Sequence, residues 1–483
     1  MIRTAIVLSN IGRLILIIGA AMLTCLPWSL ADHEDVTMGI VQAAGLTIAT
    51  GIFLVLYYPK KTGMNYKEGL ALVSLGWIVV SVFGSLPYLF TGYLPSFADA
   101  FFETVSGFTT TGSSVVKDVE IWPRGLLFWR SLTQWLGGMG IIALFVAIIA
   151  GIGVRAHQIF KAEVPGPISD KISPRIRETA KSLWKTYVMV SIACALILFA
   201  LGMDLFDSLC HTFATMATGG FSTKNSSIGF YTNPLIHWTI IIFMFIAGTN
   251  FSLHFIAFKK RKPLAYLRDA EFKLYSGIII AATFLVTLSL TFQDTMFSWE
   301  ERIRTACFQV VSIMTTTGFA TADYNVWPPL AAGVVFLMFF TGGCAGSTGG
   351  SIKPGRYLII FHRSIIELKK MIHPKAIIPL RFGGKVLNEP LLINVLQFFF
   401  LYIGFLALGT LIMTGLGLDI LSGLTASATC LGNIGPGFGL VGPTQNFSFL
   451  PDSGKFVLSA LMLIGRLEIY PILILFLPEY WKE

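Results

Sequence analysis

Four short stretches of an otherwise oily chain set threonine or asparagine next to glycine. TTTGS carries Thr110, Thr111 and Gly112, and ATGGF carries Thr218, Gly219 and Gly220. TTTGF carries Thr316, Thr317 and Gly318, and NIGPG carries Asn433, Ile434 and Gly435. Threonine runs are poor helix formers, and glycine is the residue that most readily takes φ > 0. These stretches therefore hold backbone out of regular structure. At membrane depth such backbone is tolerated only when buried in protein or lining water. Carbonyl oxygens presented there can replace the water shell of a dehydrated cation. All of these residues are candidate cation-site residues, with the hydroxyls free to satisfy neighbouring backbone groups.

Aligned on Gly112, Gly220, Gly318 and Gly435, the stretches recur at spacings of 108, 98 and 117 residues. Two positions before each glycine stand Thr110, Thr218, Thr316 and Asn433; six before stand Ser106, Ala214, Ser312 and Thr429, all small. One TTTG alone reads as a helix C-cap followed by a loop. Four copies in equivalent connectors read as a pseudo-fourfold ring. The elements that must position them are ten predicted helices, at 5–30, 37–58, 68–90, 123–152, 185–203, 231–258, 273–293, 331–361, 390–415 and 453–480. Each outward connector after the first two helices contains a short apolar helix ending on the glycine, with its negative C-terminal end toward the axis. The third opens on a capping-box pattern, Ser298 to Glu301. The expected fold is an all-α polytopic membrane protein with two extra N-terminal helices (1–66) and four helix–pore loop–helix repeats (67–153, 154–258, 259–361 and 362–483). The ring cannot be chemically fourfold, because Pro436 follows Gly435 and lacks a backbone N–H. Fewer good cation sites and only moderate rejection of sodium are expected.

Composition agrees with a membrane setting. The 483 residues are 54% hydrophobic and 13% charged, where soluble domains carry about 25% charged residues. The net charge of +9 could suggest nucleic acid, but its distribution points to membrane orientation. Basic residues cluster at Lys60, Lys61 and Lys67, from Arg155 to Lys185, from Lys259 to Lys273, and from Arg363 to Lys385, whereas the alternating connectors carry few. That pattern places both termini in the cytoplasm. The basic connectors 154–185, 259–273 and 362–388 are expected to dock an acidic or nucleotide-binding partner. The six cysteines are scattered without metal-site or disulfide-framework spacing. Arg3, Arg13 and the run to Ser29-Leu30-Ala31 resemble a signal peptide; we read them as a retained first helix.

A second polar interruption, GGCAGSTGG, brings Gly342, Gly343, Gly346, Ser347, Thr348, Gly349 and Gly350 into the eighth helix. Five glycines in nine residues break a membrane helix unless a neighbour satisfies the freed backbone. A glycine-rich loop below the cation site is a candidate gate, and the shorter AGTNFS at 247–252 is its counterpart in the second repeat. Arg466 is expected in the middle of the last helix, where a charge must face the interior. Glu468, two residues on, points to another face, so carbonyls of 342–350 are the expected partners of Arg466. Three G-x-G-x-x-G-like patterns, from Gly437, Gly138 and Gly151, do not sit after a strand in a βαβ unit and are not read as nucleotide sites.

These segments resemble the TrkH/KtrB superfamily of potassium transporters, specifically the TrkH branch. The resemblance also rests on KAEVPGP (161–167), RDAEFK (268–273), GGCAGSTGGSIK (342–353) and GRLEIYP (465–471), and it covers essentially the whole chain. It implies potassium as the transported ion, no cofactor in this chain, a bacterial inner-membrane location and a homodimer with one pore per protomer. It also implies a cytosolic TrkA-like regulatory subunit that binds NAD and ATP. The main alternative is a secondary cation transporter with proton or sodium coupling and alternating access, for which Glu468 is the one clear acid within a helix. An intramembrane enzyme is the third reading. It lacks a nucleophile partnered with His211, the histidine near the second stretch.

Overall fold

The computed structural model describes residues 3–58, 64–151, 176–259, 261–292, 298–383, 385–387 and 389–482. KAEVPGP and the basic run through 155–175 lie outside them. The described residues are mostly helical. The strands among the described residues are a two-residue hairpin, with Arg381 opposite Val386.

In chain order the principal helices are α1 (Thr4–Leu23), α2 (Thr37–Tyr57), α3 (Tyr66–Gly84), α4 (Phe97–Phe108), α5 (Arg124–Gly151), α6 (Ile176–Ala200), α7 (Leu205–Ala217) and α8 (Pro234–Ala247). They continue as α9 (Phe251–Lys259), α10 (Ala270–Thr291), α11 (Trp299–Met314), α12 (Pro329–Met338), α13 (Pro354–Ile372), α14 (Glu389–Gly415), α15 (Ile420–Gly432) and α16 (Asp452–Arg466). Among the described residues, six helical stretches are long and apolar enough to cross a membrane, or up to eight if each bent pair counts as one span. That is fewer than the ten expected: α5 (Arg124–Gly151) is continuous as expected but is not among the counted spans, and three other predicted helices are broken. The predicted 231–258 splits into α8 and α9, bent by 99°. The predicted 331–361 is two helices separated by the non-helical stretch 339–353. The predicted 453–480 ends at Arg466 and resumes at Tyr470 after a bend of 116°.

Two large apolar cores hold most of these helices, and two smaller clusters pack α1 on α3 and α13 on α14. One joins α1 to α5 with α14 to α16, the other joins α6 to α12, and α7 contributes to both, Phe206 and Cys210 to the first and Ala214 and Met216 to the second. Trp135, Leu136 and Phe340 pack against both. The fourth glycine stretch straddles the seam, with Cys430 and Leu431 in the first core and Ile434 and Phe438 in the second. All six cysteines are free.

Four short helices, α4, α7, α11 and α15, each lead into one glycine stretch. Asp204, Ser298 and Asp419 cap three of them by accepting backbone N–H groups. For the third helix this is the forward half of the expected box, Glu301 N–H to Ser298 Oγ at 3.2 Å. A reciprocal box that sequence reading missed opens α3, between Asn65 and Glu68.

Candidate functional site

The four helices end in one and the same way. Thr111 N–H donates to Ser106 O at 2.8 Å, Gly219 to Ala214 at 2.8 Å, Thr317 to Ser312 at 2.8 Å and Ile434 to Thr429 at 2.9 Å. Each is the six-to-one bond of a Schellman cap. The small residues six before each glycine are thus the acceptors of these caps. The left-handed position of each cap is Thr110 (φ 55°), Thr218 (55°), Thr316 (61°) or Asn433 (54°). Asparagine accepts this conformation with little strain; a β-branched threonine there costs roughly 1–3 kcal/mol. Sequence reading reserved φ > 0 for the glycines and did not anticipate the threonines. Gly112, Gly220, Gly318 and Gly435 then take φ of 85°, 77°, 81° and 104°. The bland reading of TTTG as a helix cap is geometrically right, and it coexists with the ring.

The ring is visible in what the glycines touch. A Cβ on Gly112 would fall on the Gly219 carbonyl oxygen, one on Gly220 on that of Thr317, and one on Gly318 on that of Ile434. A Cβ on Gly435 would stand 2.8 Å from the Thr111 carbonyl oxygen. The contacts run first to second to third to fourth and back to first. The four stretches therefore lie side by side in a closed cycle, with no room for a side chain at any glycine.

Polar side chains brace the cycle from behind. Thr109 and Thr111 share a hydroxyl bond at 2.7 Å, as do Thr315 and Thr317 at 2.8 Å. Asn433 Nδ2 donates to Thr111 Oγ1 at 3.0 Å and to Met462 O at 2.9 Å. Gln134 holds the second stretch through Gly219 O at 2.6 Å and the Phe221 N–H at 3.1 Å. Arg130 meets Glu103 Oε1 at 2.5 Å, donates to Ser222 O at 3.0 Å and lies 3.7 Å over the Phe221 ring. Glu103 also accepts the Val115 N–H at 2.9 Å. Outside the ring, Asn225 Nδ2 bonds Asp118 Oδ1 at 2.7 Å. That bond and the Glu120 N–H keep the Asp118 carboxyl below its usual range.

The loop at 339–353 is fastened on every side. Gly350 N–H donates to Thr316 Oγ1 at 2.7 Å. Cys344 N–H donates to Gly248 O at 2.8 Å, and Phe251 N–H to Gly346 O at 3.1 Å, so the breaks of the second and third repeats bond one another. Gly342 N–H donates to Ile352 O at 2.9 Å and closes the neck of the loop. Thr348 Oγ1 donates to Met216 O at 3.1 Å. Ser347 Oγ accepts the Gly349 N–H at 3.2 Å, and a Cβ on Gly343 would stand 2.8 Å from both Ser347 Oγ and Gly248 O. Lys353 Nζ donates to Gly349 O and Gly350 O.

Arg466 is buried, and its Nη1 donates to Thr348 O at 2.7 Å while Nη2 donates to Gly137 O at 3.3 Å. A carbonyl of the 342–350 loop is thus its partner. The expected mid-helix position is corrected, since α16 ends at Arg466. Glu468 does face elsewhere and pairs with Arg356, but the cause is a backbone turn at Glu468 and Ile469, both at positive φ, and not a helix face.

Two further statements from the sequence need revision. Glu468 lies in the turn after α16 and not within a helix, whereas Glu68 in α3, Glu103 in α4, Asp207 in α7 and Glu271 in α10 are buried acids within helices. His211 does have a hydroxyl beside it, with Nε2 at 2.9 Å from Ser222 Oγ and Nδ1 at 2.8 Å from Asp207 O. Asp207's carboxylate is engaged by Thr223 and Tyr231 instead of the imidazole. The trio ties α7 to the outer connector. Gln134, Arg130 and Lys353 were missed as well; a polar residue inside an apolar helix was the available signal for the first two.

Comparison with known proteins completes the description. A family profile described as TrkH, cation transport protein, matches residues 38–483. The Trk system potassium uptake protein TrkH of Escherichia coli K12 is 41% identical over 441 residues, 90% of this chain and 91% of that protein. The protein of the same description from Halomonas elongata is 35% identical over 482 residues, 99% of each chain. The crystal structure of the potassium transporter TrkH from Vibrio parahaemolyticus superposes with a TM-score of 0.90 at 34% identity, covering all of both chains.

Proposed function

Because the chain belongs to the TrkH family of cation transport proteins, we propose that it takes up potassium across the bacterial inner membrane through a pore where the four glycine stretches meet. The observation that carries this reading is the closed cycle of glycine-to-carbonyl approaches. Four helix C-termini end at this cycle, and their negative ends favour a cation. Carbonyls of Thr110, Thr111, Gly112 and their counterparts exchange with the water shell of potassium. The four units 67–153, 154–258, 259–361 and 362–483 surround the axis, with 1–66 outside it.

The loop from Gly342 to Gly350 gates this path, and Arg466 holds it in place. Basic connectors on the cytoplasmic side, where both termini lie, receive a cytosolic TrkA-like subunit that binds NAD and ATP. Two protomers associate, each with its own pore.

The rival reading, a coupled transporter with alternating access, gains buried helical acids from the fold, among them Glu68, which pairs with Arg3, and Asp207, which Thr223 and Tyr231 engage. Glu103 is bonded to Arg130 and Glu271 to backbone N–H groups, an arrangement that suits bracing more than proton exchange. Single-channel recording from reconstituted protein tests the choice. Discrete unitary potassium currents support the pore, and steady flux without unitary steps supports alternating access.

A further inference from the structure

Glu271 lies in the first turn of α10 and is buried. Its Oε1 accepts the Ala345 N–H at 3.1 Å and the Gly355 N–H at 3.0 Å. Those two donors stand on opposite flanks of the stretch 346–354, so one carboxylate oxygen closes that stretch into a ring. The site is built for it. A Cβ on Gly355 would stand 3.0 Å from the same oxygen, so only glycine admits the carboxylate without displacement. A carboxylate accepting backbone N–H groups makes stronger bonds than a neutral acceptor.

The other end of this arrangement faces the cytoplasmic connector that precedes α10. Asp269 caps the helix by accepting the Phe272 N–H at 2.8 Å. Tyr266 OH meets His254 Nδ1 at 2.7 Å, and His254 Nε2 meets Ile246 O at 2.9 Å. The connector is therefore docked on the α8–α9 break. That break itself receives the Cys344 N–H and donates to Gly346 O. Connector, helix break and loop form one bonded unit, and Glu271 is the side chain that joins α10 to the loop at Ala345 and to the start of α13 at Gly355.

We infer that Glu271 is a positioning residue that clasps Ala345, within the 342–350 loop, to Gly355 beyond it and passes movement of the 261–269 connector to the loop. This rests on the reading of that loop as a gate. A one-residue rotation of the first turn of α10 swings a side chain through about 100°, which withdraws Oε1 from both N–H groups together. Loss of one carboxylate then frees both flanks at once.

The loop carries its own reporter. Cys344 precedes Ala345 and is buried, as are Cys25, Cys194, Cys210 and Cys430. Full-length wild type, Glu271→Gln and Glu271→Ala are treated in detergent with N-ethylmaleimide, and each thiol is followed by peptide-resolved mass spectrometry. Glu271→Ala is expected to raise the Cys344 rate at least about tenfold, with the four other buried thiols unchanged. The isosteric Glu271→Gln keeps a weaker acceptor and is expected to fall between. An unchanged Cys344 rate in both variants overturns the inference. A joint rise at all buried thiols also overturns it, because Glu271 would then support the fold at large. Potassium flux is read on the same preparations. Faster Cys344 labelling with higher flux supports clasp and gate together. Faster labelling with unchanged flux leaves the clasp standing and removes the gate reading.

Discussion

Thr316 Oγ1 accepts the Gly350 N–H at 2.7 Å, so one hydroxyl joins the third glycine stretch to the loop at 339–353. Thr316 is at φ 61°, the left-handed cap position of α11. The strained conformation directs this hydroxyl at the loop, which couples the geometry of the ring to the position of the loop.

Thr316→Val keeps the shape and removes the acceptor. An unsatisfied buried N–H costs about 1–3 kcal/mol, which the loop can avoid by leaving its seat. Potassium flux into vesicles without any partner subunit should rise by roughly one to two powers of ten. Unchanged flux at normal expression would show that the bond does not hold the loop.

Arg466→Ala removes the bonds to Thr348 O and Gly137 O. Hydrogen bonds from a charged donor contribute roughly 1.5–3 kcal/mol each. The variant should conduct more than wild type, and so should a deletion within Gly342 to Gly350. Their combination should add little, since both break one contact. A product of the two single effects would make arginine and loop independent, and lower flux in the single variant would make Arg466 a brace of the fold.

These two contacts show what the sequence disclosed. The alignment on four glycines named the stretches that form the ring, because a recurrent break in an apolar pattern survives in one dimension. It also pointed Arg466 at the loop, since a buried charge needs a partner and the glycine run offered carbonyls. The threonines at positive φ were not legible, because propensity argues against a β-branched residue there and only the Schellman bond to Ser106 or Ser312 explains it. The bend after Arg466 was hidden by an apolar run that continues past it. Glu103 and Arg130 are 27 positions apart, and no local pattern pairs them.

Gly318→Ser places a Cβ against the Ile434 carbonyl and requires φ 81° of a serine. The carbonyl must turn or the stretch must shift. The ratio of potassium to sodium permeability should fall while most of the protein remains folded. An unchanged ratio from reversal potentials would remove Gly318 from the cation site.

Glu103→Gln leaves Arg130 charged, buried and without its carboxylate. Breaking a buried pair from one side costs about 3–5 kcal/mol, so the melting temperature in detergent should drop clearly. The double change Glu103→Gln with Arg130→Met should recover part of that loss. A single variant as stable as wild type would show that the pair is not a brace.

Potassium is proposed to pass where Gly112, Gly220, Gly318 and Gly435 meet. The most direct measurement is anomalous diffraction from crystals of this protein grown in rubidium or thallium salts. Anomalous density is expected within the ring, flanked by the carbonyls of the four stretches and absent from Gly318→Ser crystals. Density only elsewhere in the protein, with the ring empty at saturating salt, would contradict it.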